Sequence, residues 1–102
     1  MNKSYCPNLK KMPVSALFDA LSDSARLEIV LALLDKGEIS CGECKTPLSK
    51  STMSHHFKVL REAGLIQKRE EGKIHYISLR TEEIEKRLPG FLELLSNLSK
   101  PL

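Results

Sequence analysis

The chain has 102 residues, a formal net charge of +3 and 41% hydrophobic side chains, which together predict one folded domain rather than a disordered segment. No apolar run approaches the roughly 18 residues that a membrane helix needs, and the N-terminus lacks the apolar core of a signal peptide. The sequence therefore predicts a cytoplasmic protein without membrane contact, in which the three cysteines would be reduced thiols.

The first part of the chain predicts an arm followed by a short helix. Residues 1–12 are polar and contain Pro7, so we interpret them as an N-terminal arm, and residues 13–102 as a single domain. Pro13 suits the first turn of a helix. The apolar positions of that helix are Val14, Leu17, Phe18 and Leu21.

A second helix is predicted over residues 25–36. The run Ser22-Asp23-Ser24 offers side-chain oxygens that can cap its first N–H groups, and Gly37 suits its end. This helix is apolar on most sides, which is typical of a core helix. A glycine and a proline interrupt residues 39–48, so we expect at most about one turn of helix there.

A helix capped by Ser49 or Ser51 is predicted next, and its two faces differ. One face carries apolar side chains at i, i+4 and i+7, namely Met53, Phe57 and Leu60. The opposite face carries Ser51, Ser54, His55, Lys58 and Arg61. A helix with these two faces suits the major groove of DNA, the alternative being an ordinary solvated face.

Individual side chains of this helix have different predicted roles. Ser54, His55 and Lys58 are the stronger candidates for DNA contact, and Ser51 or Thr52 would bind phosphate at the helix N-terminus. His56 lies nearer the apolar stripe, so it either packs locally or contacts a phosphate.

A two-stranded ribbon follows the turn expected at Gly64. Residues 65–69 and 74–79 predict its strands, with His75, Ile77 and Leu79 on one face and Ile74 and Tyr76 on the other. Three cations near its tip, namely Lys68, Arg69 and Lys73, would lie near the phosphate backbone or the minor groove.

Two further helices are predicted after the ribbon. Thr81 can cap residues 82–88, and Pro89-Gly90 breaks the pattern. The last helix carries Phe91, Leu92, Leu94, Leu95 and Leu98, which is too apolar a set to stand alone in water.

The run STMSHHFKVLREAGLI followed by the basic ribbon resembles the ArsR/SmtB family of small bacterial repressors. The resemblance implies an α+β, mainly α, winged helix-turn-helix that dimerises through its first and last helices. It further implies a sequence-specific repressor that binds double-stranded DNA as a homodimer at an inverted-repeat operator. Leu95 and Leu98 would then pack beside Val14, Leu17 and Phe18. The alternative from another class is a protein-interaction module such as an antirepressor, although the basic ribbon favours DNA.

Three cysteines leave the question of a sensor open. Cys41 and Cys44 have CxxC spacing, and Cys6 lies in the arm. They are inert core thiols, a metal or metalloid site, or a redox pair, and in the last two cases DNA affinity would depend on them. The last helix has no histidine, so the family's acid and histidine metal site is predicted to be absent, and no certain cofactor is predicted. No catalytic motif is visible, so we do not expect an enzyme.

Overall fold

The computed structural model describes residues 9–40 and 48–98, which form helices and one small antiparallel sheet. In chain order the elements are a 3-10 turn (Leu9–Lys11), α1 (Val14–Leu21), α2 (Ser24–Lys36), β1 (Glu38–Ser40), α3 (Lys50–Glu62), β2 (Ile66–Glu71), β3 (Ile74–Leu79), α4 (Thr81–Arg87) and α5 (Phe91–Leu98). Among the described helices, none has the length and apolar character needed to span a bilayer.

Helix α2 begins and ends where the sequence predicts. The Asp23 carboxylate accepts the backbone N–H groups of Ala25 at 2.8 Å and Arg26 at 3.2 Å. These bonds, that of Arg26 first, hold the pKa of Asp23 below its ordinary value. Gly37 ends the helix with φ near +85°, a conformation that costs glycine little.

The core is formed by apolar side chains from helices α1 to α5 and from the sheet, and α2 packs against α1, α3 and α5. Its largest fully buried side chains are Leu17, Leu60, Leu65, Ile66 and Ile84. Full burial of such a side chain stabilises the fold by roughly 1.5–3 kcal/mol relative to exposure. Because these residues come from elements far apart in sequence, the same apolar contacts that stabilise the core also hold α3 against the rest of the domain.

The described end of the N-terminal arm packs on the rest of the chain. Leu9 is only 2% exposed and belongs to the same hydrophobic cluster as the helices. Arg87 Nη2 also donates a hydrogen bond to the backbone oxygen of Met12 at 3.3 Å. The chain is therefore already packed on the core before the predicted domain start at residue 13.

Strands β2 and β3 form the predicted hairpin, called the wing from here on (Ile66–Glu71 and Ile74–Leu79 with their turn). They pair from Ile66 opposite Leu79 to Glu71 opposite Ile74. The wing turn has only two residues, and its Gly72 has φ near +61°. The strand β2 therefore continues into residues that the sequence analysis assigns to a longer turn.

One local prediction is wrong, and one strand was not predicted. Of the segment 39–48, where at most about one turn of helix is expected, residues 41–47 lie outside the described residues. Residues 39–40 belong to β1, which pairs antiparallel with β3 and makes the sheet three-stranded. A strand of three residues is too short to show alternation, and its partner lies far away in sequence. Thr81 does not cap α4, because the helix already includes it; Arg80 occupies the cap position, and its side chain bonds the backbone oxygen of Gly64 at 3.1 Å rather than the start of the helix.

Candidate nucleic-acid interface

Helix α3 buries one face and caps its own first turn. Met53 is 9% exposed and Leu60 is fully buried, while Phe57 is half-buried. Ser49 is the N-cap, and its hydroxyl accepts the backbone N–H of Thr52 at 3.2 Å. The predicted apolar stripe and one of the two predicted caps are thus confirmed.

The exposed face of α3 brings together most of the predicted DNA-binding side chains. Ser51, Ser54, His55 and Lys58 are exposed, while Thr52 and Arg61 are half-buried. Within the described residues, Lys58 has no carboxylate at salt-bridge distance. This face therefore offers hydroxyl, imidazole and ammonium groups that can bind base edges or phosphate oxygens.

Three hydroxyl groups cluster at the N-terminus of α3. The Ser49 oxygen lies 3.1 Å from the Ser51 hydroxyl and 2.9 Å from the Thr52 hydroxyl. Ser51 is exposed, so its hydroxyl can reach a ligand at the helix start, whereas Thr52 faces Ser49 and is less accessible. Of these two predicted phosphate contacts, Ser51 has the more favourable position.

His56 does not lie on the exposed face. It is 8% exposed, and its Nδ1 lies 3.3 Å from Nη1 of Arg26 on α2. This geometry matches the local-packing interpretation of His56 and corrects its inclusion among the DNA contacts. The neighbouring ring of His55, 6.0 Å away between centroids, remains exposed.

The wing cation Arg69 is held by carboxylates. Its Nη2 lies 2.7 Å from Glu38 Oε1, and its Nη1 lies 2.8 Å from Glu71 Oε2. The guanidinium also stacks over the Tyr76 ring, 4.5 Å from the centroid. The hydrogen bond to Arg69 lowers the pKa of Glu38, and the two carboxylates raise the pKa of Arg69.

The remaining wing charges are mixed. Lys73 is exposed at the turn, and Lys68 is half-buried. Glu70 lies 3.8 Å from Nε2 of His75 on the opposite strand. The pairing of Arg69 with Glu38 has no signal in the sequence, because Glu38 reaches Arg69 only through the unpredicted strand β1. Of the three predicted wing cations, Lys73 is the most accessible.

The predicted thiol site falls outside the described residues, because neither Cys6 nor Cys41 nor Cys44 is among them. In the described part of the chain, no group of three histidine, cysteine, aspartate or glutamate residues is placed to hold a metal ion.

The model of a bacterial regulatory protein family, the arsR family, matches residues 23–68, from the α2 cap into β2. The transcriptional regulator YceK of Bacillus subtilis (strain 168) is 49% identical over 82 residues, 78% of this chain and 82% of that protein. The arsenical resistance operon repressor of Escherichia coli (strain K12) is 43% identical over 63 residues, 59% of this chain and 54% of that protein. The solved structure of HlyU from Vibrio cholerae N16961 superimposes with a TM-score of 0.71 at 33% identity, covering 84% and 90% of the two chains.

Proposed function

The chain belongs to the ArsR family of bacterial regulatory proteins, and we propose that it represses transcription as a homodimer bound to an inverted-repeat operator. It is a DNA-binding transcriptional regulator with a winged helix-turn-helix fold. The observation that carries the proposal is the two-faced α3, whose apolar side is buried while Ser54, His55 and Lys58 are exposed.

Each exposed side chain of α3 has a proposed role. Ser54 and His55 would read base edges in the major groove, because hydroxyl and imidazole groups can donate to or accept from those edges. Lys58 and Arg61 would neutralise phosphates beside the groove, and Ser51 would bind a phosphate at the helix start. Lys73 would touch the flanking backbone from the wing.

The proposal of a dimer is supported by apolar side chains left exposed on α1 and α5. Phe18 is 51% exposed, Leu94 is 53% exposed and Leu98 is 71% exposed. The rings of Phe18 and Phe91 pack in a T-shaped arrangement, with 6.0 Å between centroids, so α1 and α5 already form one surface within a protomer. A second copy would remove this surface from water.

Two residues expected at this interface belong to the protomer instead. Leu17 is 1% exposed, and Leu95 is half-buried against the hydrophobic core. A charge at either position would disturb the fold of one subunit as well as its pairing. The exposed Leu98 is therefore the sharper position at which to test the dimer.

Fluorescence anisotropy on duplexes from the gene's own upstream region tests operator binding. We expect tight binding to an inverted repeat and weak binding to a scrambled duplex. Affinity should fall steeply with salt, because phosphate contacts release counterions. Equal affinity for both duplexes, or binding indifferent to salt, would contradict the proposal. A reporter gene behind the bound duplex then separates repression from activation.

Leu98→Glu tests the dimer. The new carboxylate would be buried without a partner in the dimer but solvated in the monomer, so light scattering should report half the parent mass. Asn97→Glu is the matched control, because it adds the same charge to the neighbouring exposed position. A Leu98→Glu protein of parental mass that still binds the operator would place the interface elsewhere.

A second candidate function is a repressor whose operator affinity depends on its thiols. The observation that favours it is the similarity to an arsenical resistance repressor, together with the position of Cys41 directly after β1 and of Cys44 six residues before α3. Release of DNA by arsenite or mild peroxide, abolished in the Cys41→Ser/Cys44→Ser protein, would establish this function. A parent that ignores both agents would leave the cysteines as structural thiols.

A further inference from the structure

Arg26 connects three helices at the buried side of α3. Its Nε donates a hydrogen bond to the backbone oxygen of Ala20, in the last turn of α1, at 2.7 Å. Its Nη1 lies 3.3 Å from Nδ1 of His56 on α3. Its own backbone N–H is bound by the Asp23 carboxylate at the start of α2. One guanidinium therefore bonds the end of α1 and the middle of α3 from the first turn of α2.

The chemistry of the two side chains fixes the direction of the bond between them. A guanidinium has donors and no acceptor, so the 3.3 Å contact requires His56 Nδ1 to accept. The proton of the neutral ring then resides on Nε2. Because His56 is only 8% exposed, this acceptor has little access to water, and an unpaired nitrogen there would be costly.

We propose that Arg26 and His56 are positioning residues that set the rotation of α3 about its own axis, and so aim Ser54 and His55 at the bases. The inference rests on the proposed function. The apolar neighbours Met53 and Leu60 are held by burial, which has no directional preference. The hydrogen bond at His56 is directional, so it selects one rotation among those that burial alone would accept.

The position of His56 in α3 makes that rotation matter. His55 and His56 are consecutive, and successive residues of a helix point about 100° apart, since one turn holds 3.6 residues. One of the two rings is exposed and the other is buried. A rotation of α3 about its axis that breaks the bond at His56 would therefore also turn His55 relative to the groove.

Anisotropy with a labelled duplex from the gene's upstream region tests the proposal on four variants. His56→Leu keeps bulk and removes the acceptor, Arg26→Met removes the donors, and His56→Asn keeps an acceptor one bond beyond Cγ, as Nδ1 is. Ile84→Val, in the core of α4 and 1% exposed, is the control for lost stability without a lost anchor. All four are compared at a temperature where circular dichroism reports fully folded protein.

We expect His56→Leu and Arg26→Met each to raise the Kd for the operator by about tenfold or more, equivalent to about 1.4 kcal/mol. Each should also reduce the ratio of operator affinity to scrambled-duplex affinity. The double variant His56→Leu/Arg26→Met should be no worse than Arg26→Met alone, because Arg26→Met already removes the bond to His56. His56→Asn should recover most of the affinity, and Ile84→Val should bind like the parent. If His56→Leu does not fold, Arg26→Met and His56→Asn still decide the question.

The proposal is overturned if folded His56→Leu and Arg26→Met proteins bind the operator with the parental Kd and the parental preference over the scrambled duplex. It is also overturned if Ile84→Val weakens binding as much as they do, because affinity would then simply follow stability. A parent that binds no DNA would instead contradict the proposed function, so the two failures are distinguishable.

Discussion

Helix α3 and the wing look alike in sequence, but their charges have different surroundings in the fold. Each segment has three basic side chains, Lys50, Lys58 and Arg61 in α3 and Lys68, Arg69 and Lys73 in the wing. On α3 the exposed Lys58 has no ion-pair partner among the described residues, whereas in the wing Arg69 is shared between two carboxylates. The number of basic residues is the same, but the number available to a phosphate differs.

This difference separates two uses of a cation in a small DNA-binding protein. A side chain that is already paired must lose its carboxylates before it can neutralise a phosphate, so its net gain on DNA is small. Arg69 also ties β2 to β1 and stacks on Tyr76, which stabilises the sheet. We therefore assign α3 to DNA recognition and the charge of Arg69 to the structure of the wing itself.

The largest effect is expected at Gly64, where α3 is joined to the wing. Its φ of +85° would cost an L-residue about 1–2 kcal/mol. A Cβ there would also lie 3.0 Å from the buried Leu9 Cδ1, and overpacking adds about 1–3 kcal/mol. Gly64→Ala should therefore lower the free energy of unfolding by the sum of both effects, as measured by urea denaturation.

Gly37→Ala is the matched control for the joint. Gly37 has the same φ of +85°, but nothing lies within 4 Å of its added Cβ. Gly37→Ala should lose only the free energy that the positive φ costs an L-residue. The additional loss in Gly64→Ala then measures the crowding of the new Cβ against Leu9. If both variants lose the same free energy of unfolding, Leu9 moves aside without cost and does not constrain the connection between α3 and the wing.

The next effect concerns base readout by α3. Ser54→Ala and His55→Ala should each reduce the preference for the operator over a scrambled duplex by about 1–3 kcal/mol, the usual cost of a lost base contact. Anisotropy titrations on both duplexes measure that preference. Arg69→Ala in the wing should leave it unchanged. A preference lost in Arg69→Ala and kept in His55→Ala would reverse the assignment of the two regions.

The same two regions show how far the sequence alone could lead. The spacing of Met53, Phe57 and Leu60 and the cap at Ser49 were sufficient to predict α3, because helix signals lie within a few residues of one another. The pairing of Arg69 with Glu38 was not predictable, since Glu38 lies 31 positions away on a three-residue strand. Long-range strand pairing leaves no local pattern from which it could be inferred.

His56 shows the same limit within a predicted element. Its place beside the apolar stripe left burial and phosphate contact equally open, and helix periodicity could not decide between them. The decisive contact comes from Arg26, on another helix and 30 positions away. The elements and exposed face of α3 were thus predictable, whereas the polar contacts that orient them were not.

A smaller effect should appear in the salt dependence of DNA binding. Lys58→Ala should lower the magnitude of the slope of log K against log salt concentration by about 1 per subunit, and so by about 2 for the dimer, because one phosphate contact is lost on each half-site. Arg69→Ala should leave that slope close to the parent's, since its charge is already balanced by Glu38 and Glu71. Matching reductions in the two variants would show that Arg69 exchanges its carboxylates for phosphate on binding.

The smallest effect is a weakening of the tie between β1 and the wing in acid. The hydrogen bond from Arg69 holds the pKa of Glu38 below its ordinary value of 4.5. A carboxylate with a lowered pKa in the fold contributes its stabilisation fully above the ordinary value and loses it as the pH falls through the folded pKa. The contact should therefore be intact at neutral pH and be lost only below that ordinary value.

Nuclear magnetic resonance tests this on the Glu38 carboxyl carbon and on the amide protons that pair β1 with β3, where Glu38 lies opposite Ser78. The carboxyl should titrate below 4.5, and the protection factors of the amides, which compare their exchange with that of an unfolded chain at the same pH, should fall over the same pH range. Glu38→Gln removes the titrating group, so its amides should show no such transition. Because Arg69 and Glu38 are both substantially exposed, added salt should also weaken the pair. Glu38 could instead titrate at its ordinary value while Arg69→Ala leaves the amide exchange unchanged. Arg69 then does not stabilise the contact between β1 and the wing, and its charge would be available to a DNA phosphate.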